Sequence, residues 1–165
     1  MDKDTLIMAM DFSRARLLGE LETIEKSGQD VAKVLAWRPG PGRAHIAWQA
    51  MHCAATHEKY LHVGLLQTPV RDEELVVAFG GGSKPADVNV PPLPLIRERL
   101  AKTYDNLRRY VADQTPQSLA KVLSAPGGKQ RSVAESIVLL TWHEAHHQGQ
   151  IHLTWNLYKA AHGVA

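Results

Sequence analysis

The 165-residue chain is short of several things, and each shortage excludes a class of protein. There is one cysteine, Cys53, which rules out an intramolecular disulfide, a multi-cysteine zinc site and hence a secreted disulfide scaffold. No apolar run approaches the roughly 18 residues of a membrane span, so no membrane association is expected. The start, Met1-Asp2-Lys3-Asp4, lacks the basic segment and apolar run of a secretion signal, and a cytoplasmic location is the expectation. Charge of one sign is lacking too. Nineteen Lys and Arg against 17 Asp and Glu leave +2 without a basic block, so a nucleic-acid partner is not expected. Strand-like alternation is weak, and there is no internal repeat or low-complexity tract.

What remains is an ordinary globular composition, 44% hydrophobic and 22% charged, and one domain over residues 1–165 is expected. Nine histidines stand out by position. Four lie between His45 and His62, five between His143 and His162, and none elsewhere.

Helical periodicity is plain in four segments. Leu6, Met10, Leu17, Leu21 and Ile24 mark the first, which Ser27-Gly28 ends. After the Pro/Gly break at residues 39–42, a second helix is predicted from about residue 44 to 66. Leu93, Ile96, Leu100, Tyr104, Leu107 and Val111 give the third, with Pro94 in its first turn. Ser132 and Glu135 resemble a capping box opening the last, which runs to about His162 before Gly163. Four amphipathic segments predict an all-α four-helix bundle with long loops after helices 2 and 3. The first loop, residues 67–92, includes the apolar Leu75-Val76-Val77-Ala78-Phe79, read as a short strand or as loop packing. It reads equally as a wall over a site or as a solvated excursion.

At about 100° per residue, His143 and His147 share one stripe with Gln150, flanked by Leu139, Leu140, Ile151, Leu157 and Tyr158. On the second helix His45 and His52 share a direction with Trp48, whereas His57 and His62 point away and are expected to be solvated, as are His152 and His162. An i, i+4 histidine pair presents ring nitrogens that suit one divalent ion, and a third imidazole from a facing helix leaves coordination positions open. His52 is preferred as that third ligand. His45, about 10 Å further along the axis, is left at the mouth or exposed, and His146 beside the site or on the surface. The rival reading is a hydrogen-bonded core network without metal. Cys53 points about 100° from His52 and is expected to be a buried structural thiol. Trp48, Trp142 and Trp155 fall near the histidine windows, with core packing as the expectation.

His143-Glu144-Ala145-His146-His147 spells H-E-x-x-H, the zinc-peptidase pattern. The metzincin extension would need Gly and His where Gln150 and Leu153 stand, and no strand pattern supplies a substrate-binding edge. The stretch Trp142-His143-Glu144-Ala145-His146-His147-Gln148-Gly149-Gln150-Ile151 instead resembles the signature of the DinB/YfiT-like superfamily of metal-binding four-helix bundles. In that signature an H-x-x-x-H pair is followed by G-Q and an apolar residue. Ala47-Trp48-Gln49-Ala50-Met51-His52-Cys53-Ala54-Ala55 is similar to the segment that supplies the family's first ligand. Gln148 departs from the pattern, since many relatives carry Arg there. The resemblance implies His52, His143 and His147 as ligands of a divalent ion, zinc or nickel first and iron or manganese as alternatives. It implies a thiol S-transferase or hydrolase acting on a small-molecule substrate, with a low-molecular-weight thiol as candidate co-substrate, and by analogy a homodimer. Glu58, Lys59 and Glu144 are candidates for acid–base help, with a solvated helix surface as the expectation for each. The alternative is a metal-binding protein without turnover, in a structural, sensing or storage role.

Overall fold

Each long helix begins where the chain offers its free amides an acceptor or does without one donor. In the computed structural model, which describes residues 2–164, Asp2 caps α1 (Lys3–Glu25), its carboxylate accepting from the Thr5 amide at 2.8 Å. His45 caps α3 (Ile46–Lys59), its Nδ1 accepting from the Trp48 amide at 3.0 Å. α5 (Leu93–Ala112) carries Pro94 in its first turn, where a missing amide costs nothing. Ser132 and Glu135 form the expected capping box of α7 (Val133–His162), and Gly163, at φ +64°, ends it.

These helices form the expected all-α bundle, with α1 against α5 and α7, and α3 against α5 and α7. α3 continues directly into a π-helical segment, Tyr60–Leu66, so the second helix has the predicted extent but not the predicted winding throughout. Shorter elements fill the connections. α2 (Val31–Ala36) follows α1, while α6 (Pro116–Ala120) and a two-stranded antiparallel hairpin precede α7. The hairpin pairs β1 (Val122–Ser124) with β2 (Gln130–Ser132), with Leu123 opposite Arg131. No helix among the described residues is long and apolar enough to cross a membrane.

The apolar stretch 75–79, expected as a strand or as loop packing, is the helix α4 (Glu73–Phe79). Asp72 nucleates it by accepting from the Leu75 amide at 3.0 Å, and Gly80 stops it. A side chain is excluded at Gly80, where a Cβ would stand 2.4 Å from the Val76 carbonyl oxygen. The chain beyond α4 is tied down: Arg38 donates to the Pro85 carbonyl at 2.6 Å, and Trp48 Nε1 donates to Ser83 Oγ at 3.3 Å. Within residues 67–92, α4 and the glycine that follows it form a wall against α3, while most of residues 81–89 are exposed.

The interior is two apolar halves separated by a polar belt. One half gathers Leu17, Leu21, Ile24, Leu100, Ile151 and Trp155, the other Leu6, Met10, Leu107, Ile137 and Leu140. At the level between them α1 contributes Arg14, α3 His57, α5 Tyr104, and α7 Glu144 and His147.

Candidate metal centre

One turn of α7 brings His143 and His147 together, with ring centroids 4.6 Å apart, and α3 sets His52 against both at 4.9 and 4.8 Å. One nitrogen from each of the three rings can be chosen so that all lie within 4.8 Å of one another. His52 Nε2 and His143 Nε2 are 3.1 Å apart. Two nitrogens bound to one tetrahedral zinc at about 2.0–2.1 Å would stand roughly 3.3 Å apart, so this spacing already matches a shared ion. Sequence reasoning placed these residues together, and the fold does bring them together.

The orientation of His52 is set by the wall. Its Nδ1 donates to the Phe79 carbonyl at 2.6 Å, which leaves the Nε2 lone pair facing the cluster. The Trp48 ring stacks on the other side, 4.7 Å away and within 9° of parallel. Burial lowers the proton affinity of all three rings. Burial, reinforced by the neighbouring imidazoles, pushes His143 down to about 4 and His147 down to about 3. The cluster is therefore neutral at physiological pH, with lone pairs available.

The donor set fits a divalent ion. The Nδ1 atoms of His143 and His147 are buried without a hydrogen-bond partner, so no protein group is bonded to those ring atoms. Beside the cluster lies a cavity of about 350 Å³, reached by His52 and His143 and walled by α3, Gly80-Gly81 after α4, and Pro126-Gly127 of the hairpin turn. Ligands and an adjoining space occur together.

The remaining histidines divide differently from expectation. His152 and His162 are exposed, as predicted. His146 is exposed and stacks on Trp142 at 5.3 Å. His45 is buried and is neither a ligand nor a mouth residue: it caps α3, and its Nε2 lies 3.0 Å from the Ala86 carbonyl, to which it donates. His57 and His62, expected in water, are buried. The physical reason is that α3 is covered on more than one side. The bundle lies against one flank and α4 against another, so the direction of His57 leads into protein, while His62, on the π-helical segment, lies between Glu58 and Thr68.

Glu58 and Glu144, expected on the surface, are also buried. Glu58 accepts from the amides of Arg71 and Asp72 at 3.0 and 3.1 Å and thereby holds the turn that leads into α4. Glu144 is paired with Arg14, with Nη2 donating to Oε2 at 2.9 Å and Nε 2.8 Å from Oε1. His57 completes the group. Its Nε2 lies 3.3 Å from Glu144 and its Nδ1 3.4 Å from Arg14 Nη2, which corresponds to a neutral ring donating to the carboxylate and accepting from the guanidinium. Burial, with Arg14 and His143 nearby, holds the His57 proton affinity far below its usual value. Tyr104 lies over the guanidinium at 4.6 Å. The glutamate of the H-E-x-x-H pattern is thus occupied structurally, which disposes of the peptidase role.

Sequence reasoning passed over Arg14. Its signal was its position in the apolar stripe of α1, four residues after Met10 and three before Leu17. Cys53 is fully buried, as expected, and burial pushes its thiol well up. Among the tryptophans, Trp155 is core, Trp48 supports His52, and Trp142 is largely exposed. Gln148, where many relatives carry Arg, donates to Glu20 at 3.0 Å.

Comparison with known proteins agrees with this architecture. A conserved protein from Enterococcus faecalis, known by its crystal structure, superimposes with a TM-score of 0.72 at 16% identity, over 95% of this chain and 97% of that one. No curated protein matches. The family model for the DinB superfamily matches residues 9–151, which include all three clustered histidines. The chain belongs to the DinB superfamily.

Proposed function

We propose that His52, His143 and His147 hold a divalent ion, zinc or nickel foremost, and that the protein is a metal-dependent enzyme of the thiol S-transferase or hydrolase type acting on a small molecule. The observation that carries this reading is the adjoining cavity: His52 and His143 line a space of about 350 Å³ instead of being sealed by a fourth protein ligand. Bound by three neutral imidazoles, an ion keeps its full +2 charge and supplies Lewis acidity to a thiol or water. The chain's own residues do the rest. Phe79 fixes the His52 tautomer, Trp48 holds its ring plane, and Gly80 and Gly81 border the space into which a substrate would enter. The iron and manganese alternatives share this donor set. The rival, a metal-binding protein without turnover, predicts a closed site.

Cobalt substitution separates the two. With an open position, azide or a small thiol will alter the visible cobalt spectrum of the loaded protein in a saturable manner. A spectrum insensitive to both at millimolar concentration would favour the storage or structural reading.

A second copy of the chain is the proposed partner. Phe12 and Trp142, 70% and 58% exposed, rim an apolar groove of about 670 Å³ between α1 and α7, with Met8 and Val138 beside them. Four large apolar side chains exposed around one groove form a patch of the kind a partner covers, and a second copy presenting the same face is the simplest such partner. Light scattering will give a dimer mass for the wild type and a monomer mass for Phe12→Glu. A monomeric wild type at tens of micromolar would remove this assignment.

A further inference from the structure

The cavity beside the histidine cluster is electrically lopsided. On α3, His52, Ala55, Thr56 and Lys59 follow at i, i+3, i+4 and i+7 and therefore share one helix face, and all four line the cavity. Lys59 is the one permanently charged residue in that lining, and no carboxylate accompanies it. It enters none of the ion pairs among the described residues. The acids adjoining Lys59 and His143 in the chain are already committed. Glu58 is buried under the amides of Arg71 and Asp72, and Glu144 is paired with Arg14.

A lone ammonium facing a small, partly enclosed space is matched by one negative charge, and a single lysine suits a carboxylate better than a phosphate dianion, which is better served by a planar arginine fork. Seven helical residues put the Cα atoms of Lys59 and His52 about 10 Å apart along the axis, and the flexible stem of the lysine shortens that span at the ammonium. We infer that the cavity selects a small substrate with a carboxylate at one end, held by Lys59, and its reacting group at the three histidines. This inference rests on the open metal centre proposed above and specifies what enters it.

Two thiols that differ only in the far end test it: 4-mercaptobutyrate and its uncharged analogue 4-mercapto-1-butanol, titrated into the cobalt-loaded full-length protein and followed by the thiolate-to-cobalt absorption. The wild type is expected to bind the carboxylate thiol about tenfold more tightly than the alcohol. Lys59→Gln will lose that preference and Lys59→Arg will keep most of it, with cobalt affinity unchanged in both. Equal affinity of the wild type for the two thiols, or a preference that survives Lys59→Gln, overturns the inference. If neither thiol perturbs cobalt, the open-centre reading fails, and the carboxylate site is then decided on metal-free protein by amide NMR. Butyrate, but not butanol, should shift the Gly80, Gly81 and Gly127 amides of the wild type and not of Lys59→Gln; unshifted wild-type amides overturn it.

Discussion

His147→Ala protein, purified without a polyhistidine tag and incubated with zinc or nickel, will retain no stoichiometric metal on elemental analysis, whereas the wild type will retain one ion per chain. Removing one of three ligands should weaken binding by more than about a hundredfold, since losing even an outer partner of a ligand costs 10- to 100-fold. His143→Ala and His52→Ala should behave alike, while His146→Ala, one residue from His147 but exposed, should bind as the wild type does. Wild-type protein that stays metal-free after incubation would leave only the hydrogen-bonded network and remove the metal reading. Acidity adds a second signature. His143 and His147 are depressed to about 4 and 3, so protons should compete with the metal only in that low range and not near pH 6. The metal-free fold behaves differently. The unfolded chain protonates these rings from about pH 6.5 downward while the folded chain does not, so their contribution is intact above pH 6.5. It is lost as pH falls through the depressed folded values. Urea midpoints of metal-free protein should therefore drop steadily between pH 7 and 4, and loaded protein should resist that drop until the ion leaves.

The second large effect lies in the belt beside the metal centre. Arg14 and Glu144 are 5% and 2% exposed, and each neutralises a charge that would otherwise sit in the apolar interior. Arg14→Met leaves Glu144 and His57 without their shared partner, and a loss of about 3–5 kcal/mol is expected in chemical denaturation, as for other broken buried pairs. Glu144→Leu should cost a similar amount by stranding the guanidinium. The double variant should recover much of the loss because both desolvation penalties disappear together, though His57 still loses its acceptor. Single variants within 1 kcal/mol of the wild type would mean that water already relieves the belt. Metal stoichiometry in the double variant is expected to equal that of the wild type, which separates support of the fold from ligation of the ion.

Much of this was legible in the chain because it is local. A helix cap is three residues long, so Ser132 with Glu135 announced the start of α7. An i, i+4 pair needs only a helix, so His143 and His147 announced themselves as well. What misled was the choice of helix face. Taking Leu139 and Leu157 as inward centred the buried face of α7 on His143. The buried residues Leu140, Ile151 and Trp155 centre it instead about 80° away, close to Glu144. A glutamate on that face looks like an error until its partner is known, and the partner is Arg14, 130 residues away.

Sequence alone thus determined the four long helices, both ends of α7 and the identity of three histidines able to share an ion, because each follows from spacing within one segment. Tertiary structure decided which other polar groups are interior. His57 and Glu58 are buried because α4 and the bundle enclose α3, His62 because the π-helical segment sets it between Glu58 and Thr68, and Glu144 because a charge can enter the interior only where the fold delivers its counterpart, here Arg14. It also decided that the apolar run at residues 75–79 is a helix whose last carbonyl, on Phe79, orients His52. That contact joins residues 27 apart and exists only once the wall has closed over the site.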